Sequence, residues 1–491
     1  MMRYILVSAI IMASITTWGC NKNEGENSQE LFELNVTPTT VSFEQEGESK
    51  EISIETNAPE WVINNAADWV DVETLKGQSG ITTVSLTAEE YTGAGLRSSS
   101  LTVTVEGSEP IQVTLRQSGG LYPSYNTSPA EPNTEGMESS AQVLASKVKL
   151  GWNIGNSLEA IGGETAWGNP IVSTELIDLV NQSGFNAVRI PCSWNQYMID
   201  TTTAELKTEW LDRVKDLVQY CVEKDMYVLL NIHWDGGWLE NNCTPDKQEE
   251  NNAKQKAFWE QIATLLRDFD EHLMLASANE PNVENAEQME VLLSYHQTFV
   301  NAVRSTGGRN SYRVLVVQGP ATDIEKTNNL MKTLPTDEVE DKLMAEVHFY
   351  TPWNFCGLEK DESWGSMFYY WGKDYHSATD TDRNANWGEE DEVIRLFDLM
   401  ENQFVKNGIP VLMGEYGAIR RTSLTGDDLQ LHLDSRAYYL EFVTQEMSKR
   451  GIIPFYWDNG GTGNHAYGIF NRENNTIADQ QALDALVKGS L

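Results

Sequence analysis

MYVLLNIHW, residues 226–234, carries three consecutive apolar side chains, Val228, Leu229 and Leu230, and then turns polar at Asn231 and His233. A strand wetted on one face alternates apolar and polar residues. An unbroken apolar run means that both faces are covered, as in a parallel sheet flanked by helices. The same texture recurs on both sides of this stretch. Upstream lie KLGWNIGN (149–156) and FNAVRIP (185–191); downstream come HLMLASANEP (272–281), YRVLVVQG (312–319), KLMAEVHFY (342–350), GIPVLMGEYG (408–417) and GIIPFYWDNG (451–460). Between them run amphipathic segments, among them 209–224, 251–269, 287–304, 391–407 and 434–450. Eight strands alternating with helices over 141–491 predict an α/β fold, a (β/α)8 TIM barrel with enlarged loops; a doubly wound open sheet is the alternative. The largest insertion, 350–388, follows the sixth strand and holds Trp353, Trp364, Trp371 and Trp387.

Ahead of the barrel the texture changes. Residues 31–118 repeat period-two runs, SKEISIET (49–56), TTVSLTAE (82–89), SSLTVTVE (99–106) and PIQVTLRQ (110–117), separated by Gly, Pro and Asn. They predict a small all-β, antiparallel sandwich. Residues 119–140, rich in Gly, Pro, Ser and Asn, read as a linker. At the N-terminus one Arg precedes a mostly apolar run from Tyr4 to Ile15, then small residues and Cys20. That run is too short to span a bilayer, for which ~20 apolar residues are needed, and has the size of a signal-peptide core. Gly19-Cys20 resembles a bacterial lipoprotein signal, which implies removal of 1–20 and lipidation of Cys20; ordinary secretion is the alternative. The acidic stretch 21–30 reads as a tether, and the protein as exported and held at the cell surface.

The chain has 35 basic and 73 acidic residues, a net charge of −38. Such a field repels nucleic acid, anionic membranes and acidic polysaccharides, which argues against a polyanionic partner and not against a neutral one; the membrane is expected to be met only through the lipid anchor. Five Cys without CxxC spacing exclude a disulfide scaffold and a zinc ribbon. Cys243 and Cys356 fall in loops of one predicted face, where an oxidising compartment would allow them to pair.

In a barrel the strand ends share one mouth. Here they carry Asn153 and Asn156, Arg189, His233, Asn279 and Glu280, His348 and Tyr350, Glu415, and Trp457. One such residue is unremarkable, but seven strands converging are not. Two carboxylates in one cleft are what glycoside hydrolysis requires, one protonated to release the glycosidic oxygen and one ionised to attack the anomeric carbon. The apolar run before Glu280 predicts a raised pKa for it; Arg189 and the Tyr350 hydroxyl would keep Glu415 anionic.

Residues 141–491 resemble glycoside hydrolase family 5, clan A, through GWNIGNSLEA, FNAVRIP, NIHWD, ANEP, VHFY, GEYG and YWDNGG in order. GWNIGNSLEA and YWDNGG are most similar to subfamily 4, which contains endo-glucanases and xyloglucanases. The resemblance implies Glu280 as general acid/base, Glu415 as nucleophile and Asn279 as the partner of the sugar 2-hydroxyl. It also implies Arg189 and Tyr350 as holders of Glu415, His233 and His348 as lining, Trp457 as stacking floor, and Asn156 as a hydroxyl contact one subsite out. The family uses no metal, and no cofactor is expected. Trp234 stands where the subfamily usually has His, and Asn282 where it often has Arg, so the sugar preference is less determined than the chemistry. APEWVINNAADWVDVE (58–73), an Arg before SSLTVTV and the closing LRQSG resemble a BACON domain, whose Trp61 and Trp69 read as buried anchors more than sugar platforms. Trp167, Trp194, Trp234, Trp238 and Trp353 are candidate platforms, about half of which should pack under loops, with Trp457, Trp238 and Trp353 favoured. The expectation is a monomeric, retaining endo-β-1,4-glucanase acting on cellulose, mixed-linkage glucan or xyloglucan. A β-mannanase and a non-catalytic glycan-binding lipoprotein are the alternatives.

Overall fold

The computed structural model describes residues 32–491, which divide into two units. The signal, Cys20 and tether expectations lie outside the described residues.

In the first unit seven strands form one continuous sheet. Its longest strand, Glu48–Asn65, slips register between Thr56 and Glu60, so that one half pairs with Leu34–Thr37 and the other with Leu96–Val105. Such a bulge lets one strand serve two layers. Alternate residues Ile52, Ile54, Val84, Leu86, Leu101, Val103, Val113 and Leu115 fill the core. The sheet is not wholly antiparallel as expected: Thr40–Phe43 runs parallel to Ile111–Ser118. Trp61 is fully buried, and Trp69 is covered by the Arg97 guanidinium 4.5 Å from its ring centroid. Gln117 accepts from Arg97 Nε at 3.0 Å and donates to the Glu44 and Glu89 carbonyls.

In the second unit all eight predicted strands are present: Gly151–Ile154, Ala187–Ile190, Tyr227–Asn231, Leu273–Ala276, Leu315–Gln318, Leu343–Phe349, Val411–Tyr416 and Ile452–Asp458. They pair in parallel in chain order, and the eighth closes on the first. Two residues along a strand bring the side chain back to the same face, and this period sorts the interior. Ala187, Leu229, Val316, Met344 and Phe455 belong to an inner apolar cluster, closed from below by Ala141 and Leu144 of the helix Ala141–Lys147. Two residues further on along these strands come Arg189, Asn231, Gln318, Glu346 and Trp457. The upper storey of the barrel is therefore polar. Gly151 is required below it, because a Cβ there would lie 2.1 Å from the Phe455 ring.

The stretch 119–140, read as a linker from its composition, is tied along the barrel. The buried Glu260 carboxylate accepts from the Tyr125 amide at 2.6 Å and the Ser124 hydroxyl at 3.0 Å, and Lys342 Nζ donates to the Met137 carbonyl at 2.8 Å. Among the described residues no helix is long and apolar enough to cross a membrane. Cys243 and Cys356 are both free and buried, Cys243 near the Leu239 carbonyl at 3.7 Å and Cys356 against the Tyr439 hydroxyl at 3.1 Å, so the pairing that the sequence left open is not formed.

Candidate active site

Arg189 is the hub. Fully buried, it donates from Nη1 to Glu415 Oε1 at 2.8 Å and Asn153 Oδ1 at 3.0 Å, and from Nη2 to Asn279 Oδ1 at 2.8 Å. Its Nη2 also lies 3.0 Å from Glu346 Oε1. One guanidinium thus joins the ends of the first, second, fourth, sixth and seventh strands, the use to which a planar five-donor fork is suited. Tyr350 donates to Glu415 Oε2 at 3.0 Å. Register explains the neighbour on the other side. His348 is the direct cross-strand partner of Glu415, after an irregularity between Val347 and His348 that turns both side chains to the mouth.

His348 lies between carboxylates: Nδ1 is 2.7 Å from Glu280 Oε1 and 3.8 Å from Glu415 Oε2, and Nε2 is 3.2 Å from Glu346 Oε1. An oxygen of Glu280, a nitrogen of His348 and an oxygen of Glu415 all fall within 4.8 Å of one another. Burial works against a charged imidazole here. The Glu415 charge and the hydrogen bonds to Glu280 and Glu346 outweigh it and lift His348 to about 9.

The order of the two carboxyl pKa values differs from the sequence expectation. Desolvation pushes Glu280 up, but the His348 hydrogen bond and charge, with Arg189 behind them, bring it below the ordinary carboxylate value. The apolar run that suggested otherwise ends at Ala276, whereas the Glu280 side chain opens to the cleft and is 44% exposed. Glu415 is bound by Arg189 and Tyr350 as expected, yet burial, the largest effect, raises it despite His348 and Arg189.

His233 is buried beside Asn231 and kept neutral, first by burial and then by the Arg189 and His348 charges. Its ring lies parallel to Trp457 at 5.9 Å between centroids. Gly155 leaves the room that the indole occupies, since a Cβ there would sit 2.8 Å from it. Asn156, at φ 57°, heads the adjoining loop, with its amide donating to Glu159 and its carbonyl accepting from Asn169 at 2.8 Å. All nine sequence-predicted site residues therefore surround one mouth or its rim.

Of the candidate platforms, Trp167, Trp234 and Trp353 are exposed. Trp194 and Trp238 are not. Trp238 is 9% exposed because Asp235 Oδ2 holds its Nε1 at 2.8 Å and Phe258 packs against it edge-on, so the favoured platform role falls away for that residue.

Several buried acidic residues around the candidate site escaped the sequence reading. Glu346 bridges Arg189 and His348, and Gln318 binds its other oxygen at 2.6 Å. Glu240 Oε1 accepts the Glu280 amide at 2.8 Å, and Asp235 accepts the Trp194 and Asn195 amides. Period two along Met344, Glu346 and His348 is the signal that marks Glu346. Glu240 and Asp235 sit in an irregular loop with no period to betray them.

The comparisons agree with this geometry. Residues 153–463 match the model of cellulase (glycosyl hydrolase family 5), and residues 60–117 match the BACON model, described as a putative N-terminal binding domain. The xyloglucan-specific endo-β-1,4-glucanase of Bacteroides ovatus is 33% identical over 465 residues, 91% of this chain and 89% of that protein. Endoglucanase A of Paenibacillus barcinonensis is 35% identical over 375 residues, covering 71% of this chain and 90% of its own. Among solved structures, the Bacteroides ovatus family 5 xyloglucanase with a XXXG heptasaccharide superposes with a TM-score of 0.69 at 31% identity, over 94% of this chain and 99% of that one. A family 5 xyloglucanase from Paenibacillus pabuli gives 0.66 at 35%, over 71% and 100%. A closed parallel barrel with two glutamates at the ends of its fourth and seventh strands, matched along its length by these enzymes, is a glycoside hydrolase, and the chain belongs to glycosyl hydrolase family 5 with a BACON domain before its barrel.

Proposed function

We propose that the protein is a retaining endo-β-1,4-glucanase cleaving neutral β-glucan, with xyloglucan as its first substrate. The observation that carries this reading is the approach of Glu280 and Glu415 oxygens to within 4.8 Å. Double displacement goes with carboxyl groups ~5–5.5 Å apart, whereas inversion needs ~6.5–9.5 Å to admit a water. The xyloglucan preference is supported by the printed activities of the relatives that match both units.

Glu415 attacks the anomeric carbon while Glu280 gives a proton to the departing glycosidic oxygen, so the glycosidic bond is exchanged for a glycosyl ester. Glu280, now ionised, takes a proton from water, which attacks the same carbon and frees Glu415. In the open cleft the mobile proton sits on His348, against Glu280. A sugar lying over the exposed Glu280 carboxylate strips its water and raises its pKa, and the proton crosses the 2.7 Å hydrogen bond. Asn279, oriented by Arg189, takes the 2-hydroxyl, and Trp457 forms the floor beneath the sugar. The buried Trp61 and covered Trp69 support a spacer role for the sandwich.

Hydrolysis of tamarind xyloglucan, mixed-linkage glucan, carboxymethyl-cellulose and galactomannan in parallel tests the reading. Activity on the glucans is expected, and Glu415→Ala should abolish turnover while glycan affinity persists. Turnover of galactomannan alone, or none in the parent, refutes it. We further propose export and anchoring through lipid on Cys20, on the sequence evidence of the Tyr4–Ile15 run and Gly19-Cys20. Fatty-acid labelling in cells that is unchanged by Cys20→Ala would refute it.

A further inference from the structure

The upper storey of the barrel holds a carboxylate that no catalytic step uses. Glu346 is fully buried, and both its oxygens face donors only. Oε1 meets Arg189 Nη2 at 3.0 Å and His348 Nε2 at 3.2 Å; Oε2 accepts from Gln318 Nε2 at 2.6 Å. Gln318 cannot turn round, because its Oε1 is held by the Ala278 amide at 2.9 Å. A directed chain therefore runs from the backbone just beyond the fourth strand, through Gln318, to Glu346. An amide at 346 would place its NH2 against another donor in either orientation, so the position demands an ionised carboxylate. The neighbouring strand makes way for it. A Cβ on Gly414, the residue before Glu415, would lie 1.9 Å from Glu346 Oε1.

We propose that Glu346 is a positioning residue that keeps the His348 ring doubly protonated, and so keeps one proton available to Glu280 at the cleavage point. With carboxylates on both ring nitrogens, His348 is an imidazolium, and the Glu280–His348 pair shares a single mobile proton. The other charged and titratable groups facing this pair are Glu415, Arg189, the neutral His233, Tyr350, and Glu240 behind Glu280. Arg189 is paired with Glu415 and Glu346 alike, and Glu415 faces Nδ1 only from 3.8 Å, so Glu346 is the carboxylate in hydrogen-bond contact with Nε2. This rests on the hydrolase reading above, but the ring can be followed without turnover.

The test is a pair of pH titrations on the full-length protein, of the His348 ring by NMR with 15N-histidine and of kcat/KM on xyloglucan. Glu346→Gln should lower the His348 midpoint by at least about one pH unit and move the alkaline limb of kcat/KM to lower pH by the same amount, about tenfold in activity on that side. Gln318→Leu, which removes the donor on the far oxygen and leaves the carboxylate charge facing His348, should leave the midpoint at or above that of the parent, and a fall in this variant would also contradict the proposal. A folded Glu346→Gln variant that loses activity evenly across pH, with the His348 midpoint unmoved, overturns the proposal. If the parent lacks glucanase activity while the His348 midpoint shifts as stated, the hydrolase reading fails and the role of Glu346 stands.

Discussion

Arg189 takes one oxygen of Glu415 and Tyr350 the other, so the carboxylate proposed as nucleophile is pinned before any sugar arrives. The two grips differ in kind. Arg189 is a buried charge whose loss would strand two carboxylates, Glu415 and Glu346, whereas the Tyr350 hydroxyl is a neutral donor that can be removed alone. Burial raises Glu415 and the Tyr350 hydrogen bond lowers it, so removing that bond must raise it further. Attack needs the ionised form, which is populated above the Glu415 pKa. Tyr350→Phe is therefore expected to move the acid limb of kcat/KM upward by about 1–2 pH units, from the ~1.5–3 kcal/mol of a hydrogen bond to a charged group. An acid limb that stays in place would show that the hydroxyl does not hold the carboxylate. At this scale the residues that meet at the mouth were legible, since Glu280, Glu415, Arg189, His348 and Tyr350 all interrupt apolar runs where a strand should end. The order of the carboxyl pKa values was not. It depends on His348 reaching Glu280 across strands, and a run of neighbours in sequence cannot report that.

The strands were legible as elements because burial on both faces leaves an apolar run, and the eight runs fold where they read. Their inward rows carried a second message, apolar residue then polar residue two positions on, which places Gln318 and Glu346 in the upper storey. The irregular segments were harder, because composition marks a stretch such as 119–140 as loop without saying whether anything ties it down. Glu260 does. It is buried on the helix Gln248–Leu266 and accepts the Ser124 hydroxyl and the Tyr125 and Asn126 amides. Glu260→Ala leaves those donors unmatched and should destabilise the barrel by about 1–3 kcal/mol with kcat intact. Thermal melts of the variant and parent check this; equal melting temperatures would mean that water serves those donors as well.

For the whole molecule, stability should follow pH through buried groups whose shifts sequence alone could not give. Burial first, against their amide partners, raises Glu159, Asp235 and Glu240 to about 7, and His348 stands at about 9. A group whose folded pKa is raised contributes stability that is complete below its unfolded value and lost as pH rises through the folded one. His296 and His432, depressed by burial to about 4 and about 3, act in the opposite sense, but only below the ordinary histidine value of ~6.5. Between about pH 6.5 and 9 only the raised groups still titrate, so the melting temperature should fall steadily across that window. High salt should not abolish the fall, because it screens the surface repulsion of a −38 chain but not buried carboxyls. A melting temperature that is flat there, or a fall that salt removes, would place the pH dependence on the surface.

The double-displacement mechanism stands or falls on a covalent bond to one side chain. Mass spectrometry of the protein after incubation with a 2-deoxy-2-fluoro cello-oligosaccharyl fluoride, which forms the glycosyl ester and then stalls, tests it most directly. The account predicts one glycosyl adduct per chain on the peptide carrying Glu415. An unlabelled protein that releases the reagent's sugar, or an adduct on any other residue, would contradict it.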